Sequence, residues 1–226
     1  MLIIILFLCS FKGGLAEEEF VFMVREGDNA RVLTERYLIR PTAWERVVQY
    51  NYILKPGNII KVPVHLVDKE GKAFIEVASG DVAVKALGRR EWRPAIDGLI
   101  LQEGDAVRTG PDSGAAVVMG EGGIAILGNE TEIIYEPYSR LFAGRVNRLK
   151  ILRGEVEARI PPAYDREAGY EIVTPDSRML LKGTKLRTKV GDGIGTRLEV
   201  LEGEVTVDSS GKKLIVEEGM GAVLGR

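Results

Sequence analysis

GEVEA at Gly154–Ala158 and GEVTV at Gly203–Val207 are one phrase written twice, and GDVAV at Gly80–Val84 is a third version of it. Around the later two, KILRGEVEAR (Lys150–Arg159) and EVLEGEVTVD (Glu199–Asp208) share an apolar-rich approach, a turn glycine, then alternation. A second phrase, TGPDS at Thr109–Ser113, returns as TPDS at Thr174–Ser177. β-type phrases that recur at irregular spacing predict one architectural unit laid down several times against itself. Such a plan builds a surface or spacer more readily than a single catalytic cleft.

The rest of the chain after residue 73 fits that plan. Strands are expected at Phe74–Val77, Val82–Ala86, Gly114–Met119, Gly123–Leu127 and Glu132–Tyr135, where β-branched and apolar residues alternate between turn residues. Asp105, Asp112 and Asp176 sit beside glycine, proline or serine, as turn chemistry wants. No amphipathic helix is expected beyond residue 75. The domain at 74–226 is therefore all-β, either a β-solenoid or a jelly-roll-like sandwich; periodicity alone does not choose between them.

Composition narrows the function classes. The 226 residues (24.8 kDa) carry a formal charge of −2 and a pI near 5.7, which offers no electrostatic footprint for nucleic acid. Leu2–Cys9 is an unbroken apolar run, followed by Gly14 and Ala16 at the positions a signal peptidase requires. Residues 1–16 are thus expected to be a cleaved signal peptide, too short to span a bilayer, delivering the protein to the periplasm or outside the cell. Cleavage would remove Cys9, the one cysteine, and with it any thiol nucleophile or thiolate metal site.

Residues 20–64 read differently. Phe20–Val24 is strand-like, Asp28 is placed to cap a short helix to about Tyr37, and Arg40-Pro41 breaks it. Thr42 and Glu45 form a capping box for a second helix to about Tyr50. Lys55-Pro56-Gly57 turns the chain into a closing strand at Ile59–Val62. The order is strand, helix, helix, strand, an α+β module joined to the β domain by a polar linker at 65–73.

That order, with VREGDN early, Asn51 closing the second helix and KPGNIIKVP late, resembles the LysM module. The resemblance implies non-catalytic binding of N-acetylglucosamine glycans such as peptidoglycan. The sugar would lie in a shallow groove between Gly27-Asp28-Asn29-Ala30 and Asn51-Tyr52-Ile53-Leu54, held by backbone groups over apolar side chains. The Thr-Leu usual in the family after Gly-Asp is here Asn29-Ala30. Further on, Ser79–Ile133 resembles the FecR domain through its tryptophan-centred turn, GD step, TGPDS turn and apolar strand pair, and the GEV phrases extend the likeness to the C-terminus. That resemblance implies a periplasmic setting and a protein partner in the envelope.

Catalytic chemistry finds little support in the sequence. His65 is the one histidine and lies in the linker. Asp112-Ser113 and Asp176-Ser177 follow proline and read as turn formers. Glu202 and Glu204 read as a solvated strand face, Arg145, Arg148, Lys150 and Arg153 as a basic patch, and Trp92 as a core anchor under its turn. No catalytic residue, metal or cofactor is expected. The expected function is attachment to peptidoglycan while a FecR-like scaffold faces an envelope protein. The alternatives are a regulatory interaction module whose LysM-like part no longer binds sugar, or a subunit of a wall-acting enzyme.

Overall fold

The structure, a computed structural model, describes residues 19–38, 54–63, 73–139, 145–162, 169–191, 193 and 195–225. Near the N-terminus β1 (Glu19–Met23) pairs antiparallel with β2 (Ile59–Pro63), and α1 (Ala30–Tyr37) lies between them in the chain. The helix is capped by Asn29, whose Oδ1 accepts the Val32 N–H at 3.1 Å, and not by Asp28 as the sequence suggested. The helix begins one residue later than expected because Asp28 is engaged in the preceding turn. The second helix expected after Thr42 lies outside the described residues.

Among the described residues, seventeen strands follow in one continuous, curled sheet. They are β3 (Ala73–Ser79), β4 (Val82–Lys85), β5 (Arg93–Pro94), β6 (Ile100–Leu101), β7 (Asp105–Thr109), β8 (Gly114–Met119), β9 (Gly123–Leu127), β10 (Glu132–Tyr135) and β11 (Tyr138–Ser139). The second half adds β12 (Arg145–Arg159), β13 (Gly169–Val173), β14 (Arg178–Leu181), β15 (Lys185–Val190), β16 (Thr196–Glu202), β17 (Glu204–Ser209), β18 (Lys212–Glu217) and β19 (Gly221–Leu224). One layer runs β6-β3-β8-β9-β12-β15-β16-β19. The other runs β5-β4-β7-β10-β12-β13-β14-β17-β18. Pairing is antiparallel except between β12 and β13.

The recurring glycines explain how one sheet makes two layers. Gly80 separates β3 of the first layer from β4 of the second, and Gly203 separates β16 from β17 in the same sense. Gly154 lies within β12, whose first half belongs to the second layer and whose last part belongs to the first. All three have positive φ, +79°, +90° and +79° in chain order, a conformation that side chains disfavour. A hydroxyl secures each crossing. Ser113 Oγ accepts the Asp81 N–H at 2.8 Å, Thr131 Oγ1 accepts the Glu155 N–H at 2.9 Å, and Thr184 Oγ1 donates to the Glu204 carbonyl at 3.0 Å. The repeated phrase is therefore a layer-crossing device, and the architecture is a curled sandwich closed around one core.

That core follows from the alternation. Val107, Ile133, Leu149 and Val207 of one layer and Val117, Ala125, Leu186 and Leu198 of the other are fully buried in a single cluster. Such interdigitation is the main source of stability in the fold. The N-terminal hairpin is built into it. Val21 bridges to Leu99, its N–H donates to the Gly98 carbonyl at 3.0 Å, and its side chain joins the sandwich core. In return Ile100 joins the small core of Phe22, Val24, Leu33, Tyr37, Ile60 and Val62, with Phe74 packed against it.

Candidate functional site

The loop singled out in the sequence is a tight turn leading into α1. Gly27 has φ +86° and open space where a side chain would be. The Asp28 carboxylate accepts the Arg25 N–H at 2.8 Å, and the Asp28 N–H donates to the Arg25 carbonyl at 3.2 Å. Asn29 is the cap and Ala30 opens the helix. The polar side chains of this wall are thus engaged with their own backbone, so recognition there would fall to main-chain groups and the open edge at Gly27. Of the opposite wall, Asn51, Tyr52 and Ile53 lie outside the described residues, while Leu54 packs against the small core.

Beside this loop is a concavity that the sequence did not reveal. A cleft of about 590 Å³ opens where the hairpin meets the β4–β5 connection, lined by Met23–Glu26, Gly57, Ala86–Glu91 and Arg93. Its arginines mostly hold the two parts together. Arg25 pairs with Asp105 of β7, Arg93 donates to the Gly57 carbonyl, and Arg89 reaches Glu26 at 3.7 Å. Asp105 is buried and also accepts the N–H groups of Gln102 (2.9 Å) and Leu87 (3.3 Å). Burial pushes its carboxyl above the ordinary value, and the Arg25 charge and the N–H bonds offset only part of that. The run RREWR at Arg89–Arg93 was the available signal, but only the tertiary fold brings it against Gly57.

Trp92 is not a core anchor. It is half-buried, with Lys85 Nζ 4.7 Å and the Arg108 guanidinium carbon 4.4 Å from its ring centroid. Cations over the ring satisfy its negative face in place of an apolar floor.

The other sequence candidates also resolve into structure. Ser113 accepts the Asp81 N–H and donates to the Pro111 carbonyl at 2.9 Å, while Ser177 Oγ lies 2.9 Å from Thr174 Oγ1. Among the described residues the hydrogen-bond partners of both hydroxyls are backbone groups or another hydroxyl, not a general base. Glu202 and Glu204 do not share a strand: they flank Gly203 at the end of β16 and the start of β17. In the basic patch, Arg148 pairs with the buried Glu171 at 2.6 Å and Arg153 with Glu132 at 3.5 Å. Among the described residues no group of His, Cys, Asp and Glu is placed to hold a metal ion, and no helix is long and apolar enough to cross a membrane.

Comparison with known proteins adds the following. None of the curated proteins matches the chain. Two crystal structures of a candidate anti-sigma factor from Parabacteroides distasonis resemble it with a TM-score of 0.44 and 14% identity, over 51% of this chain and 52% of that one. The chain thus spans about half the length of those structures, and at that TM-score the likeness carries no weight for function. The family model described as FecR protein matches residues 105–206. It begins at β7, so β3–β6 lie in the same sheet but outside the match. From β7 to the start of β17, this sheet is supported as a FecR domain.

Proposed function

We propose that the chain is a non-catalytic envelope protein that binds N-acetylglucosamine glycan through its N-terminal part and presents its FecR domain to another envelope protein. The observation that carries this reading is the clamped N-terminal hairpin. Its helix-entry loop is open at Gly27, and it is fixed to the sandwich by Arg25–Asp105 and Arg93–Gly57. A rigidly mounted loop of this kind would transmit attachment at one end into a fixed orientation of the scaffold. The LysM-like pattern of residues 20–64 and the expected export signal support the glycan and the compartment.

The test is co-sedimentation of the purified protein with protein-free sacculi. The wild type should pellet with them. A Tyr52→Ala variant, which removes a side chain from the expected groove without touching the α1 cap at Asn29, should stay in the supernatant. Wild-type protein that remains soluble with sacculi would overturn the glycan half of the proposal. A lytic band in a zymogram would overturn the non-catalytic half.

A further inference from the structure

At the C-terminal end of the sandwich, β18 is bonded to β17 along one edge, and among the described residues no strand pairs with its other edge. Its sequence is KKLIVE, Lys212–Glu217. Lys213, Ile215 and Glu217 point to the outer face, where Ile215 is 61% exposed, while Leu214 and Val216 point inward. An exposed edge with a bare isoleucine is a template for another strand. Lysine on an edge ordinarily repels other strands, but this lysine has a complement four residues along the same face.

We propose that β18 pairs antiparallel with β18 of a second copy of this chain, about a two-fold axis at Ile215. A two-fold axis perpendicular to the sheet keeps outer residues on the outer face, so residues of like parity must face each other. Centred on Ile215, this sets Lys213 of each copy opposite Glu217 of the other and the two isoleucines against one another. Moving the axis to Leu214 or Val216 would instead set Lys213 or Glu217 against Ile215. Charge complementarity therefore selects one register.

Two further observations favour that occupant. Within one chain Glu217 lies directly opposite Glu204 of β17, and both are exposed. Facing like charges destabilise a strand pair. In the dimer a lysine flanks Glu217 on its other side, and the row becomes Glu204, Glu217, Lys213, Asp208, since Asp208 already faces Lys213. The neighbouring outer-face row brings two exposed apolar side chains toward the same edge: Leu180 of β14, 40% exposed, faces Thr206, which faces Ile215. Pairing at Ile215 makes that row continuous across both copies. The contact is a single short strand pair, so the dimer belongs to the small, weak class of interfaces, below about 1,200 Å².

Sedimentation equilibrium between about 5 and about 500 µM should show a reversible monomer–dimer equilibrium. Glu217→Lys and Lys213→Glu should each weaken it about tenfold or more, and the double variant carrying both should restore it, because the pairs are re-formed with reversed signs. Glu217→Lys also replaces the facing glutamates within the chain by an opposite-charge pair, so its thermal midpoint should not fall. That separates lost dimerisation from lost folding. In a Cys9→Ser background, Ile215→Cys should oxidise to a covalent dimer, since opposed residues in such a pair have Cα atoms about 4.5–5.5 Å apart, within disulfide reach. Ile126→Cys, exposed in the interior of the other layer, should not. A wild type that stays monomeric throughout, failure of the double variant to recover, or equal cross-linking at the two cysteines would overturn the proposal.

Discussion

Gly154→Ala should be among the most damaging single-methyl additions this chain can receive. The residue sits within β12 where the strand leaves one layer for the other, with φ +90°. A Cβ there would lie 2.7 Å from the Thr131 Cβ and closer still to its Cα, so the obstacle is backbone and cannot swing away. Holding a side chain at positive φ costs about 1–2 kcal/mol. Displacing Thr131 also disturbs the hydroxyl that accepts the Glu155 N–H, a partly buried bond whose loss costs about 1–3 kcal/mol. The sum is roughly 2–5 kcal/mol, a large share of the stability of an ordinary domain. Two controls separate these contributions. Gly211 has φ +78° and open space, so alanine there should cost only the conformational part, about 1–2 kcal/mol. Gly191 has open space and no positive φ, so alanine there should be neutral or stabilise by up to about 1 kcal/mol. Urea unfolding followed by circular dichroism, with equal slopes for all variants, gives the ranking directly. If Gly154→Ala falls within about 0.5 kcal/mol of Gly211→Ala, the crossing is not the constrained point described here.

Two more expectations concern buried polar groups. Thr131→Val keeps the volume but leaves the Glu155 N–H without its acceptor, and should cost about 1–3 kcal/mol in the same assay. Thr188→Val is the comparison: among the described residues its equally buried hydroxyl has only the Met179 sulfur at 3.8 Å, so the change should be near neutral, and equal losses would refute the latch role. Asp105 gives a pH signature. Burial raises its carboxyl in the folded protein, so the folded state holds that proton to a higher pH than the unfolded chain does. Stability from this group is therefore greatest below the unfolded value of about 3.9 and declines as pH rises through the folded one. Relative to Asp105→Asn, the wild type should lose thermal midpoint on going from acid to neutral pH, and more steeply in an Arg25→Ala background where the opposing charge is gone. A difference that does not change with pH would contradict the assignment.

Some of this protein was legible in the chain before any fold was known. Alternation and turn residues located β8, β9 and β10 with their observed bounds, because a strand with one face in a core must alternate wherever it lies. The repeated Gly-acid-Val phrase was legible as a repeat, since a positive-φ glycine followed by alternation is a local pattern. Its meaning was not. That Gly80, Gly154 and Gly203 pass the chain between layers depends on which strands lie beside them, and pairing partners are set by contacts far apart in sequence. The same reason hid the cleft at Arg25 and Arg93, whose partners Asp105 and Gly57 are distant along the chain. Trp92 was misjudged because an aromatic flanked by arginines looks alike in sequence under a turn or beneath cations. Local chemistry decided where the backbone turns and which residues point inward; only the tertiary pairing decided which layer each strand joined, and so that β18 has, among the described residues, a strand on one edge alone.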